Sequence, residues 1–152
     1  MSQKFKFKLQ GVLRLKELAE DQIKNQLGII IGQIDKKSQL IIDYKSEIQF
    51  YFDRYEVAEN SKGEMLGGLR TYMPEFLLSH YQKIKKCNDE IEKLNIEKIN
   101  LIKKLNEAKG QVKIFTNLKD KKYAEYKYKY DKKMHNEIEE LTILKGSPND
   151  KF

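Results

Sequence analysis

From Ile23 onward, side chains recur in steps of four and three: Ile23, Leu27, Ile30, Ile34, Lys37, Ile41, Tyr44, Ile48, Tyr51, Tyr55 and Ala58. All but Lys37 are apolar or aromatic, and the run exceeds three heptads. A 3.5-residue repeat sustained that long is the seam of a coiled coil, narrower than the apolar face of a globular helix. A second seam runs through Ile84, Cys87, Ile91, Leu94, Lys98, Leu101, Leu105, Ala108, Val112 and Phe115, broken only by Lys98. Between the seams, Gly63, Gly67, Gly68 and Pro74 form the densest cluster of helix breakers. Two seams around one breaker cluster predict an all-α fold, a long antiparallel two-helix coiled-coil hairpin.

Within residues 1–152 the spacing predicts a single helical hairpin: helix 1 over 9–62, a tip over 63–71, helix 2 over 72–145 and a flexible tail over 146–152. Thr71 is the candidate cap of helix 2, with Pro74 tolerated in its first turn. Each arm of roughly 50 residues would be about 75 Å long, so a rod is expected. Reversal near Gly67 and Gly68 would set residues whose numbers sum to about 135 opposite each other. Lys37 and Lys98 would then face and snorkel outward, or loop asymmetry would offset them by a turn. Gly28 and Gly32, one turn apart, mark either a close backbone approach or local flexibility.

Composition bounds the function. The chain has 152 residues, 35% of them charged and 39% hydrophobic, too periodic for a disordered tail and thin for a compact globule. The lone Cys87 forbids an internal disulfide framework and fits a reducing cytosol. There is no apolar run of membrane-spanning length, and MSQKFKFKLQ lacks the apolar core of a signal peptide. Membrane insertion is not expected. No phosphate-cradling glycine loop is present, and the isolated His80 and His135 offer no metal spacing. Scattered acids on a solvated rod point to a non-enzyme with no cofactor, no metal and no small-molecule substrate.

The net charge of +7 is concentrated in two segments. Residues 4–16 carry Lys4, Lys6, Lys8, Arg14 and Lys16 without an acid, and residues 109–133 are lysine-rich with only Asp120, Glu125 and Asp131. YAEYKYKYDKKM (123–134) lies in the second, where alternating Tyr and Lys fits either a base-stacking platform or one stripe of a solvated helix. Phe5, Phe7 and Leu9 alternate with lysines, favouring an extended arm that enters a helix near Leu9. The 135 rule places Phe5, Leu9 and Val12 opposite Tyr130, Tyr126 and Tyr123. Beyond them Met134, Ile138 and Leu141 continue the stripe with no helix-1 residues to cover them, so they are either a partner surface or a frayed tail.

Several segments together resemble the FliJ family of flagellar export proteins. FKFKLQGVLRLKE (5–17) is similar to the family's opening, and QLGIIIGQI (26–34) with LIIDYKSE (40–47) to its first helix. RTYMPEFLLSHYQKI (70–84) resembles the aromatic pattern after the turn, and QVKIFTNLKDKK (111–122) with YDKKMHNEIEEL (130–141) the basic final arm. Two features depart from the pattern: His135-Asn136-Glu137 where members often carry Asp-Glu, and Pro74 between Tyr72 and Phe76.

The resemblance implies a hairpin similar in shape to the central stalk of rotary ATPases. It implies a position peripheral at the cytoplasmic face of the flagellar export apparatus, in keeping with the cytoplasmic protein that composition suggests and the monomer expected of an intramolecular hairpin. Its implied partners are the hexameric flagellar ATPase FliI, the export gate FlhA and export chaperones with their cargo. On this reading Met134, Ile138 and Leu141 enter the ATPase ring, with Arg14, Lys132 and Lys133 steering the encounter. Tyr72, Phe76, His80 and Lys83, spaced by three and four, would contact the gate. The competing readings are a nucleic-acid-binding coiled coil, a generic dimerising coiled coil and a stalk protein of virulence type III secretion. A nucleic acid is the weaker partner, because only Tyr128 and the lysines remain to bind it.

Overall fold

The computed structural model describes residues 4–61 and 65–146. It contains helix α1, Gln10–Ser61, and helix α2, Met65–Gly146, with no strand among the described residues. The fold is an all-α, antiparallel two-helix coiled-coil hairpin. The chain divides into two compact units, and both helices contribute to each. Unit 1 comprises Met1–Asp21 with Asn106–Phe152, and unit 2 is Gln22–Leu105.

Both seams lie where the spacing puts them. Every position of the first, from Ile23 to Ala58, and of the second, from Ile84 to Phe115, is buried or half-buried, including Lys37 and Lys98. A two-stranded coil has no interior beyond the shared seam, so few side chains are fully enclosed. Among the described residues the buried apolar set is Leu13, Ile41, Ile48, Ala58 and Cys87, joined by the polar His80.

The register differs from the sequence expectation. Lys37 meets Glu90, Tyr44 meets Lys83, Glu47 meets His80 and Tyr51 meets Phe76, pairs whose numbers all sum to 127. The cause is the start of α2. It opens at Met65, not at 72, and holds Gly67, Gly68 and Pro74 within itself. Thr71 caps nothing; its hydroxyl donates to the Gly67 carbonyl at 2.8 Å, one turn back inside the helix. Pro74 lacks the N–H that would bond the Arg70 carbonyl, a local cost that the aromatic packing described below offsets. Residue 62, the expected end of helix 1, residues 63–64 of the expected tip and 147–152 of the expected tail lie outside the described residues; Gly146, expected in the tail, is the last residue of α2.

The shift removes the facing lysines. Lys37 Nζ lies 2.6 Å from Glu90 Oε2, with both side chains about one-third exposed. The hydrogen bond to Glu90 and then its charge raise the Lys37 pKa, and the same bond holds Glu90 below the usual carboxylate range. Gly28 and Gly32 are exposed, and a Cβ at either would meet nothing within 4 Å, so no backbone approaches them closely.

Native Cys87 gives a direct test of register. Ile41 and Cys87 are both buried and sum to 128, whereas Ile48 and Cys87 sum to 135. On mild oxidation, Ile41→Cys should close a disulfide with Cys87 and Ile48→Cys should not, since bridging requires Cα atoms within about 7 Å. Non-reducing electrophoresis reads the result, and cross-linking of the second variant alone would refute the register.

Candidate functional site

In unit 2 the register gathers four aromatic rings from both helices. Phe76 stacks on Tyr51 of α1, with centroids 4.5 Å apart and planes at 17°. On its other side it stacks on His80, at 4.1 Å and 29°. Tyr44 meets the His80 ring edge-on at 5.8 Å, and Lys83 Nζ lies 5.6 Å from the Tyr44 ring centre. Such contacts each add about 1 kcal/mol beyond simple burial.

His80 is 7% exposed, and its polar atoms are engaged. Nδ1 lies 3.0 Å from the Phe76 carbonyl, which can only accept, so that nitrogen carries a hydrogen. Nε2 lies 2.5 Å from Glu47 Oε2 on α1. One histidine therefore ties the helix backbone, the aromatic stack and the opposite helix together. The Tyr51 hydroxyl donates to the Leu69 carbonyl, and Arg70 Nε donates to the Tyr55 hydroxyl at 3.1 Å. These bonds anchor the first turns of α2 despite the glycines and Pro74.

Beside the stack lies a groove of about 580 Å³ lined by Ser46, Glu47, Phe50, Tyr51, Arg54, Leu69 and Phe76. Phe50 is 62% exposed, and the Arg54 guanidinium sits 5.6 Å from its ring centre. An exposed aromatic with an arginine over it, beside a half-buried Phe, has the composition of a protein-binding hot spot.

Of the residues expected on this surface, the structure brings Phe76, His80 and Lys83 together and leaves Tyr72 exposed. Sequence reasoning missed the α1 half: Glu47, Phe50 and Arg54, with Tyr44, Tyr51 and Tyr55 read only as seam rungs. The available signal was three tyrosines in a seam that, Lys37 apart, otherwise takes aliphatic side chains, since a covered Tyr hydroxyl needs a polar partner.

The second expected surface lies in unit 1. Residues 4–7 are neither helix nor strand, and the Phe7 carbonyl accepts from Gln10 N–H at 3.1 Å in the turn that leads into α1. Phe5 lies edge-on to Tyr123 at 5.3 Å and tilted against Tyr126 at 5.5 Å, not opposite Tyr130. Phe5 and Tyr123 sum to 128, so the register that pairs Lys37 with Glu90 also accounts for the move of Phe5 from Tyr130 to Tyr123. Tyr126 alone of the three tyrosines is half-buried; Tyr123 and Tyr130 remain exposed. From Lys127 to Lys145 every residue of α2 is exposed, including Lys132, Lys133, Met134, Ile138 and Leu141; Arg14 on α1 is exposed as well.

Among the described residues no helix is long and apolar enough to cross a membrane, and no cluster of three or more His, Cys, Asp or Glu could hold a metal ion. No curated protein and no solved structure shows a significant match to the chain. The family described as flagellar FliJ protein matches residues 5–145, nearly the whole length. Match and fold agree, and the chain belongs to the FliJ family of flagellar type III export components.

Proposed function

We propose that the chain is a coiled-coil adaptor of flagellar type III export that binds the export ATPase FliI and the membrane export gate FlhA through two separate surfaces. It works at the cytoplasmic face of the export apparatus and brings chaperone–cargo complexes to the gate. It acts by binding alone, without cofactor or catalysis.

The observation that carries the reading is the uncovered end of α2. Met134, Ile138, Leu141, Ile143 and Leu144 are 40–70% exposed on a helix that continues to Gly146. Large apolar side chains kept in water at helical spacing fit a helix-in-groove contact. Arg14, Lys132 and Lys133, all exposed, supply positive charge that would steer the encounter with a partner surface of opposite charge. The gate is assigned to the aromatic cluster, where Phe76 lines a groove with Phe50 and Arg54, Lys83 is exposed beside Tyr44 and Tyr72 is exposed nearby in the chain. Buried His80 holds the Phe76 ring from behind rather than meeting a partner.

Truncation after Lys133 tests the ATPase assignment. The shortened chain should bind the ATPase at least about tenfold more weakly, a loss of about 1.4 kcal/mol, by calorimetric titration. Undiminished affinity would remove the assignment.

A further inference from the structure

A groove in unit 1, distinct from the α2 overhang, has no role in the proposed function. It measures about 970 Å³ and lies between the extended arm and α2. Its walls carry Lys4, Lys6, Lys8, Lys122 and Lys129 against a single carboxylate, Glu125, whose Oε2 is 3.8 Å from Lys122 Nζ. Phe5, Phe7, Leu9, Leu118 and Tyr126 supply its apolar and aromatic lining.

The arm has the exposure pattern of a strand. Lys4, Lys6 and Lys8 are exposed while Phe5 and Phe7 are half-buried. Phe5 pins the arm to Tyr123 and Tyr126, and Lys4, Lys6 and Lys8 line the groove beside this contact. Every second residue of an extended chain recurs at about 6.7 Å. Lys4 and Lys6 stand in the arm and Lys8 in the turn that follows. An extended partner with an acid at every second position can therefore set carboxylates against Lys4 and Lys6 in register, with Lys8 at the end of the row. Its alternate side chains would meet the apolar lining.

We propose that this groove binds an extended acidic peptide segment of a partner protein, with apolar residues between its carboxylates. A nucleic acid fits less well, because the rings it would stack on are occupied by one another. Phe5 contacts Tyr123 and Tyr126, Tyr123 lies 6.5 Å from Tyr126, and Tyr126 stacks on Tyr130 at 6.2 Å. The proposal does not depend on the ATPase assignment, since none of the groove residues lies beyond Lys129.

The test uses the full chain and a fluorescein-labelled peptide of about eight residues alternating glutamate and leucine, read by anisotropy. Neutralising the arm (Lys4→Gln, Lys6→Gln, Lys8→Gln) should weaken binding about tenfold. The arm is not helical, so the helical circular dichroism should not change. Neutralising Lys85, Lys86 and Lys93 in unit 2 makes the same charge change outside the groove and should move affinity less than about twofold. Truncation after Lys133 should leave peptide binding intact whatever it does to the ATPase. Equal weakening by both triple variants, or tighter binding of an oligothymidylate of equal charge, would overturn the proposal.

Discussion

Ile41→Asp lowers the stability of the hairpin by about 4 kcal/mol, and the same change at Ile42 moves it by less than about 0.7 kcal/mol. Ile41 is 9% exposed in the seam opposite Cys87, whereas Ile42 is 57% exposed on the flank of the same helix. Helix propensity is common to both substitutions, so the difference isolates the seam. At Ile41 the new carboxylate loses water in the seam, and the aliphatic packing of Ile41 is lost as well. A two-helix fold has few other contacts to absorb such a loss, and typical stabilities are only about 5–15 kcal/mol. The melting temperature should fall by roughly 10 °C for Ile41→Asp, and circular dichroism melts measure both variants. Similar melts for the two would mean that the seam does not hold the helices together.

The second large effect is at Phe76. Phe76→Ala should weaken gate binding at least about 30-fold, equivalent to about 2 kcal/mol, as expected for a central aromatic anchor. It also costs stability, about 2 kcal/mol, less than a fully buried Phe because the ring is only half-buried between Tyr51 and His80. Ile84→Ala is the control: it truncates a half-buried seam residue on the same helix, outside the groove lining. It should lose stability and keep gate affinity. Calorimetric titration against the gate protein, at a temperature where both variants remain folded, separates the roles. Equal loss of affinity in both would make Phe76 a stability residue only.

These two predictions differ in how far the sequence could reach them. The seam at Ile41 is legible because a 3.5-residue repeat is a local property of the chain, and each rung from Ile23 to Phe115 obeys it. The register at Phe76 is not local. It depends on where the chain reverses, and Gly67, Gly68 and Pro74 point to a later reversal than the structure has. Those residues stay helical because Tyr51 and Tyr55 bind Leu69 and Arg70 from across the hairpin, contacts no periodicity reveals. Moving the reversal four residues earlier shifts each pairing by eight, which turned Lys37 from the neighbour of Lys98 into the partner of Glu90. It also brought Tyr51 onto Phe76 and Glu47 onto His80, which built the candidate gate surface. The exposed stripe at Met134, Ile138 and Leu141 was readable because it needs only one helix.

The central claim is that two surfaces of one chain hold two different partners. It is tested by isolating a tagged chain from flagellated cells and probing for the export ATPase and the export gate together. The wild-type chain should carry both, the chain truncated after Lys133 the gate without the ATPase, and Phe76→Ala the ATPase without the gate. Absence of both partners from the wild-type chain, or loss of both from either variant while it remains helical, would contradict the account.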